Sequence, residues 1–266
     1  MLDRWIGSNE KKAGFDIALR GKLIEIEEQN HSARMPENIC QKPIRAVLFD
    51  MDNTLFDLVG AQIAACDCVV HHLGHDDGDE LFSCFLTGSH GFESMENIRQ
   101  YMQERRIPTN GMYDEACRIY ATEKLRHITP YPGVTKTLRA IRERGFPTGI
   151  VTDAEKADAT LRLDKCGLSR FFDCMITFDM VGVKKPAPDP FLTALGRIRA
   201  RPEHTLFIGD SPRRDIEPCK KLGIRTVYAR YGDRFSKTRD YTGADFVIDR
   251  MDEILGIVEG QPVSHP

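Results

Sequence analysis

The chain has 266 residues, 41% hydrophobic and 29% charged, the composition of a globular protein with room for one large domain or a core plus a smaller module. A formal net charge of −3 supplies no basic field for nucleic acid, and no apolar run approaches the ~20 residues of a membrane span. The first sixteen residues, "MLDRWIGSNEKKAGFD", are too charged for the apolar segment of a signal peptide, so a cytoplasmic protein without nucleic-acid or membrane partners is expected.

Residues 1–43 read as a separate extension. Phe15, Ala18, Leu19 and Leu23 fall at helical spacing, and "NHSARMPENICQKP" follows as a linker. This extension carries no evident chemistry and is the part best suited to a partner or a homodimer contact. "IRAVLF" (Ile44–Phe49) is a candidate buried strand. After Asp57 four helical stripes follow: Ile63, Cys66, Val70 and Leu73; Leu81, Phe82, Phe85 and Leu86; Phe92, Met95, Ile98 and Met102; Tyr113, Ala116, Cys117 and Tyr120. The breaks "LGHDDGDE", "TGSHG" and "IPTNG" separate them.

From "TPYPGV" onward strands and helices alternate. The helix "VTKTLRAIRERG" precedes the strand "FPTGIVT", and "AEKADATLRLDKCG" precedes "FFDCMITF". "DPFLTALGRIRA" leads to "HTLFIGD", and "RRDIEPCKKLG" leads to "IRTVYA"; "ADFVI" and "MDEILGIV" close the series. Repeated βα units imply an α/β fold with a mainly parallel, Rossmann-like sheet covered by helices on both faces. The expected organisation is an α/β core over 44–57 and 129–258, an all-helical cap over 58–128 inserted after the first strand, and a tail over 259–266. The eight cysteines contain no CxxC pair, and reduced thiols within apolar patterns are expected.

Ligands of such sheets bind at the carboxyl ends of the strands. There the sequence places Asp50 and Asp52 after "AVLF", Thr152 and Asp153 after "GIV", Lys184 and Lys185 after the "FFDCMITF" region, and Asp210 and Asp215 in "GDSPRRD". Converging carboxylates make an oxygen-rich site for a hard cation, and magnesium suits it because it takes few protein ligands. One carboxylate can attack phosphorus, and a second, two residues on, can serve as general acid and then general base. A threonine hydroxyl and a lysine ammonium can bind the transferring oxygens.

These residues resemble the motifs of the haloacid dehalogenase superfamily. "FDMDNTLFD" is similar to its DxDxT motif, "GIVTDA" to the second, "KKPAPDPF" to the third and "FIGDSPRRDI" to the acidic fourth. The resemblance covers roughly residues 44–258. It implies Asp50 as nucleophile and metal ligand, and Asp52 as general acid/base whose backbone carbonyl also reaches the metal. It further implies Thr152 as a phosphoryl ligand and Lys185, next to Pro186, as the neutralising cation, with Lys184 as its fallback. Asp210 and Asp215 would serve the metal, and Asp153 would join Thr152 and Lys185 at the substrate. Arg213 and Arg214 suit either solvent or a second anionic group, and His71, His72, His75, His90 and Glu93 could face substrate from the cap.

The implied activity is a Mg2+-dependent phosphatase acting on small phosphorylated metabolites through an aspartyl phosphate. The substrate classes are phosphoglycolate, sugar phosphates and nucleoside monophosphates. A phosphomutase uses the same intermediate, and a binding or regulatory protein could retain the fold. Asp52 argues against a dehalogenase, which needs no general acid there.

Overall fold

A computed structural model describes residues 42–87, 90–235 and 243–260. The expected N-terminal helix with its linker up to residue 41, Cys40 and the tail from 261 lie outside the described residues.

The run "AVLF" forms β1 (Ala46–Phe49), and all four residues are buried. A strand covered on both faces needs an unbroken apolar run rather than an alternating one. β2 (Thr148–Val151), β3 (Cys174–Ile176), β4 (Thr205–Gly209), β5 (Arg225–Ala229) and β6 (Phe246–Ile248) join it in a wholly parallel sheet of order β3-β2-β1-β4-β5-β6. The chain builds outward from β1 to β3, then returns to the other side of β1 to lay down β4. The resulting switch point lies between the carboxyl ends of β1 and β4, where an open α/β sheet leaves a crevice.

Side chains of β1 alternate between two apolar layers. Val47 and Phe49 face the layer completed by α5 (Val134–Glu143), α6 (Lys156–Lys165) and α10 (Ile254–Val258), which contribute Leu138, Leu163 and Ile257. Leu48 faces the layer completed by α8 (Asp189–Ile198) and α9 (Glu217–Lys221), with Phe191, Leu195 and Cys219. Gly145 ends the α5 region at φ +77, as the sequence predicts.

The cap comprises α1 (Leu58–His72), α2 (Gly78–Thr87), α3 (Glu96–Glu104) and α4 (Met112–His127). It has its own apolar centre, where Val59, Val69, Phe85, Ile98 and Tyr120 meet and the Phe85 and Tyr120 rings stack at 4.8 Å. Asp57 starts α1 by accepting a hydrogen bond from the Gly60 amide at 2.8 Å.

Several expected element bounds shift. Phe92 and Met95 precede α3 instead of opening it. Leu86 is 45% exposed, because it lies roughly 100° around α2 from Phe85, off the buried face. The predicted strand "FFDCMITF" contracts to Cys174–Ile176, with Phe171 in a 3₁₀ turn before it and a short helix, α7 (Phe178–Val181), after it. "RRDIEPCKKLG" divides into one wide turn, Pro212–Ile216, and α9. Pro218 has no amide hydrogen to continue the ladder from that turn. All seven described cysteines are free, and no helix among the described residues is long and apolar enough to cross a membrane.

Candidate active site

Asp50 follows β1 directly and is 4% exposed. Its amide donates to the Ile208 carbonyl at 2.8 Å, which extends the β1–β4 pairing by one residue and fixes the side chain at the switch point. Oδ2 accepts from the Thr54 hydroxyl at 2.9 Å, and Oδ1 accepts from Lys185 Nζ at 2.5 Å. Thr54 is thus the "T" of DxDxT acting on the first aspartate from one helical turn away.

Lys185 Nζ also donates to Asp215 Oδ1 at 2.7 Å. Burial alone would depress the lysine pKa, but Asp215 and Asp50 outweigh it and raise that pKa above its usual value. The neighbouring Lys184 is exposed, with its ammonium 4.9 Å from the centre of the Phe178 ring. Of the two candidate lysines only Lys185 reaches the cluster.

Asp215 is fully buried against Gly209 at the end of β4. A Cβ on Gly209 would lie 2.6 Å from the Cβ, Cγ and Oδ2 of Asp215, so the close approach requires glycine here. Ser211 completes the turn, donating its amide to Asp215 Oδ2 at 3.1 Å and accepting the Asp215 amide at 2.9 Å. Burial pushes the Asp215 carboxyl up to about 6, with Lys185 opposing the shift.

Asp50, Asp210 and Asp215 each offer a carboxylate oxygen, and the three lie within 4.8 Å of one another. Asp210 Oδ1 is buried without any hydrogen-bond partner. Burial, with Asp50 and Asp215 adding repulsion, raises the Asp210 pKa well above the carboxylate range. An orphaned buried oxygen within three converging carboxylates fits a hard divalent cation, which would give that oxygen a partner and offset the repulsion.

Asp52 points elsewhere. Both of its oxygens accept from Arg162 Nη1, at 2.8 and 2.9 Å, and its carboxylate stands apart from the three-carboxylate cluster. Burial pushes its pKa up to about 6; Arg162 pulls it down, while Glu93 and Asp50 push it up. The chain turns just after Asp52, at Asn53 with φ +61, whose side chain accepts the Val59 amide at 3.1 Å. Gly232 backs this turn, where a Cβ would meet the Asn53 carbonyl oxygen at 1.8 Å.

Thr152 is buried at the end of β2, and its hydroxyl accepts the Ala154 amide at 3.1 Å. Asp153 is occupied by the protein: Oδ1 accepts the Lys185 amide at 2.8 Å, and Oδ2 lies 3.5 Å from Arg214 Nη1. Arg213 is exposed.

The cap histidines diverge from this centre. His71 and His75 line a shallow hollow with Asp67, Cys68 and Asp76 near the far end of α1, and His72 is exposed there. At 1.5 Å per residue, His71 lies roughly 20 Å along the helix from Asp57. His90 is exposed. Glu93 turns inward to pair with Arg162 and with Lys124, whose Nζ is 2.9 Å from Oε1. These two cations lower the Glu93 pKa against the opposing effect of burial.

Sequence reasoning missed Thr54, Arg162 and Lys124. The signal was present for the two cations. Arg162 falls between Ala159 and Leu163 on the apolar face of α6, and Lys124 falls four residues after the buried Tyr120.

Comparison with known proteins gives the family. The profile described as haloacid dehalogenase-like hydrolase matches residues 47–229. Glyceraldehyde 3-phosphate phosphatase from Pyrococcus furiosus is 28% identical over 224 residues, 81% of this chain and 93% of that protein. Phosphoglycolate phosphatase from Escherichia coli K12 is 28% identical over 231 residues, 80% of this chain and 91% of that protein. A solved structure of Bacillus subtilis YfnB, bound to magnesium, superposes with a TM-score of 0.66 at 20% identity, covering 82% of this chain and all of that one. The chain belongs to the haloacid dehalogenase-like hydrolases.

Proposed function

We propose that the protein is a magnesium-dependent phosphatase of small phosphate monoesters, with Asp50 as the nucleophile. The observation that carries this reading is the different surroundings of Asp50 and Asp52. One carboxylate lies among Lys185, Asp210 and Asp215, and the other lies on Arg162 with a raised pKa. Two carboxylates close in sequence suit different tasks when their surroundings differ.

Asp50, Asp210, Asp215 and the Asp52 carbonyl would hold magnesium, which supplies a divalent charge that draws phosphate oxygens inward and offsets carboxylate repulsion. Asp50 attacks phosphorus and forms a phosphorus–oxygen bond as the bond to the ester oxygen breaks. Asp52 gives its proton to the leaving oxygen, so the alcohol departs neutral. Water then attacks the aspartyl phosphate, Asp52 takes its proton, and the bond from phosphorus to Asp50 breaks to release phosphate. Lys185 and the Thr152 hydroxyl bind the oxygens on which charge gathers. The helical cap stands at the Asp57 hinge and excludes water when seated.

The names of the two phosphatase relatives support three- and two-carbon phosphate esters as the substrates to try first. The test is phosphate release from glyceraldehyde 3-phosphate, phosphoglycolate, sugar phosphates and nucleoside monophosphates in magnesium, ranked by kcat/KM. At least one ester is expected to turn over, with activity lost in Asp50→Asn. Phosphoryl return to a sugar without free phosphate would favour a mutase, and inertness toward every ester would contradict the reading.

A further inference from the structure

Arg162 is 2% exposed, yet it sits where the apolar face of α6 calls for a hydrophobic side chain. A buried guanidinium is costly unless its nitrogens are paired. Two carboxylates from different parts of the molecule supply that pairing. Asp52, in the loop after β1, takes Nη1 with both of its oxygens, and Glu93, in the cap between α2 and α3, takes Nη2. Lys124 of α4 donates to the same Glu93 oxygen, Oε1, at 2.9 Å. One guanidinium therefore joins the cap to Asp52 across the seam between cap and core.

We propose that Arg162 is a positioning residue through which the seated cap places Asp52 to act, held by one guanidinium nitrogen only. The inference rests on the reading of Asp52 as the proton donor. An arginine fork ordinarily grips a carboxylate with two nitrogens. With the cap seated, Glu93 occupies Nη2 and leaves Asp52 one nitrogen. When the cap lifts to admit substrate, Glu93 withdraws. The buried fork then recovers its pairing by taking Asp52 with both nitrogens, which draws that carboxylate toward α6 and away from the leaving oxygen. Seating of the cap and placement of Asp52 on a single nitrogen become one event, so proton donation is confined to the closed site. The lysine paired with Glu93 keeps the cap carboxylate from following the arginine.

A proton donor matters for a poor leaving group and little for a good one, which separates positioning from folding. The experiment measures kcat/KM in saturating magnesium for an alkyl phosphate and for p-nitrophenyl phosphate, with wild type, Glu93→Gln, Arg162→Lys and the double variant. Glu93→Gln preserves shape at a partly exposed cap site, so it reports even if the buried Arg162→Lys misfolds. Each single variant is expected to lose about ten-fold or more on the alkyl ester and less than about three-fold on the aryl ester, within the range that a general acid contributes. The double variant is expected to match Arg162→Lys, because the two changes break the same link. Equal losses on both esters in Glu93→Gln, or an unchanged alkyl rate, would overturn the proposal while leaving the phosphatase reading intact. A wild-type protein inert toward both esters would overturn that reading and this proposal with it.

Discussion

Lys185 Nζ lies 2.5 Å from Asp50 Oδ1, and the lysine side chain is 1% exposed. The ammonium is placed to neutralise the carboxylate without capping both of its oxygens, because Oδ2 is held separately by Thr54. Removing one partner of a buried ion network leaves uncompensated charge. Lys185→Met is therefore expected to lower unfolding free energy in chelator by about 3–5 kcal/mol, read by denaturant titration. The same variant is expected to lose roughly 10²-fold or more in kcat, as for loss of one stabilising donor. Full stability with full activity would remove Lys185 from the site.

Gly209 permits Asp215 to pack on the end of β4. Gly209→Ala puts a methyl 2.6 Å from the Asp215 Cβ and Cγ, so the turn from Ser211 to Asp215 must shift. The expected cost is about 1–3 kcal/mol, typical of overpacking. The magnesium concentration for half-maximal turnover is expected to rise as well, and magnesium titration of kcat checks this. A wild-type magnesium requirement would show that Asp215 does not contribute to cation binding.

Magnesium is expected to stabilise the protein more as pH rises. Metal-free, the folded Asp215 carboxyl titrates near 6 rather than at its model-peptide value of 3.8, chiefly through burial. Between those values the folded state holds the extra proton, so the stability this group gives is present below 3.8 and lost as pH rises through 6. Asp210, raised in the same direction by burial and by Asp50 and Asp215, adds to the loss. Magnesium binds the deprotonated carboxylates and reverses the penalty. The melting-temperature difference with and without magnesium is expected to grow from pH 5 to pH 7.5, and a pH-independent difference would place the ion elsewhere.

The parallel sheet and its helical insertion were legible because both announce themselves by period. Buried strands such as "AVLF" and "TLFIG" appear as short apolar runs, and the cap as stripes three and four apart. The strand-end residues followed from the rule that ligands gather at carboxyl ends. Choosing Lys185 over Lys184 required the resemblance, because two adjacent lysines look alike in sequence. Arg162 escaped notice because helical periodicity assigns a face its hydrophobic character from the majority, and one cation among Ala159 and Leu163 passes as solvated. The contraction of "FFDCMITF" had a similar cause: Phe171 ends a 3₁₀ turn and Phe178 opens the short helix α7, which carry the chain to and from the sheet, and their hydrophobicity serves packing as readily as pairing.

The central claim is that Asp50 carries the phosphoryl group. Protein quenched during turnover and reduced with borohydride converts an aspartyl phosphate to homoserine, which peptide mass mapping locates. The account predicts homoserine at residue 50, dependent on substrate and absent in Asp50→Asn. Turnover with no reducible acyl phosphate, or with the modification at another aspartate, would contradict it.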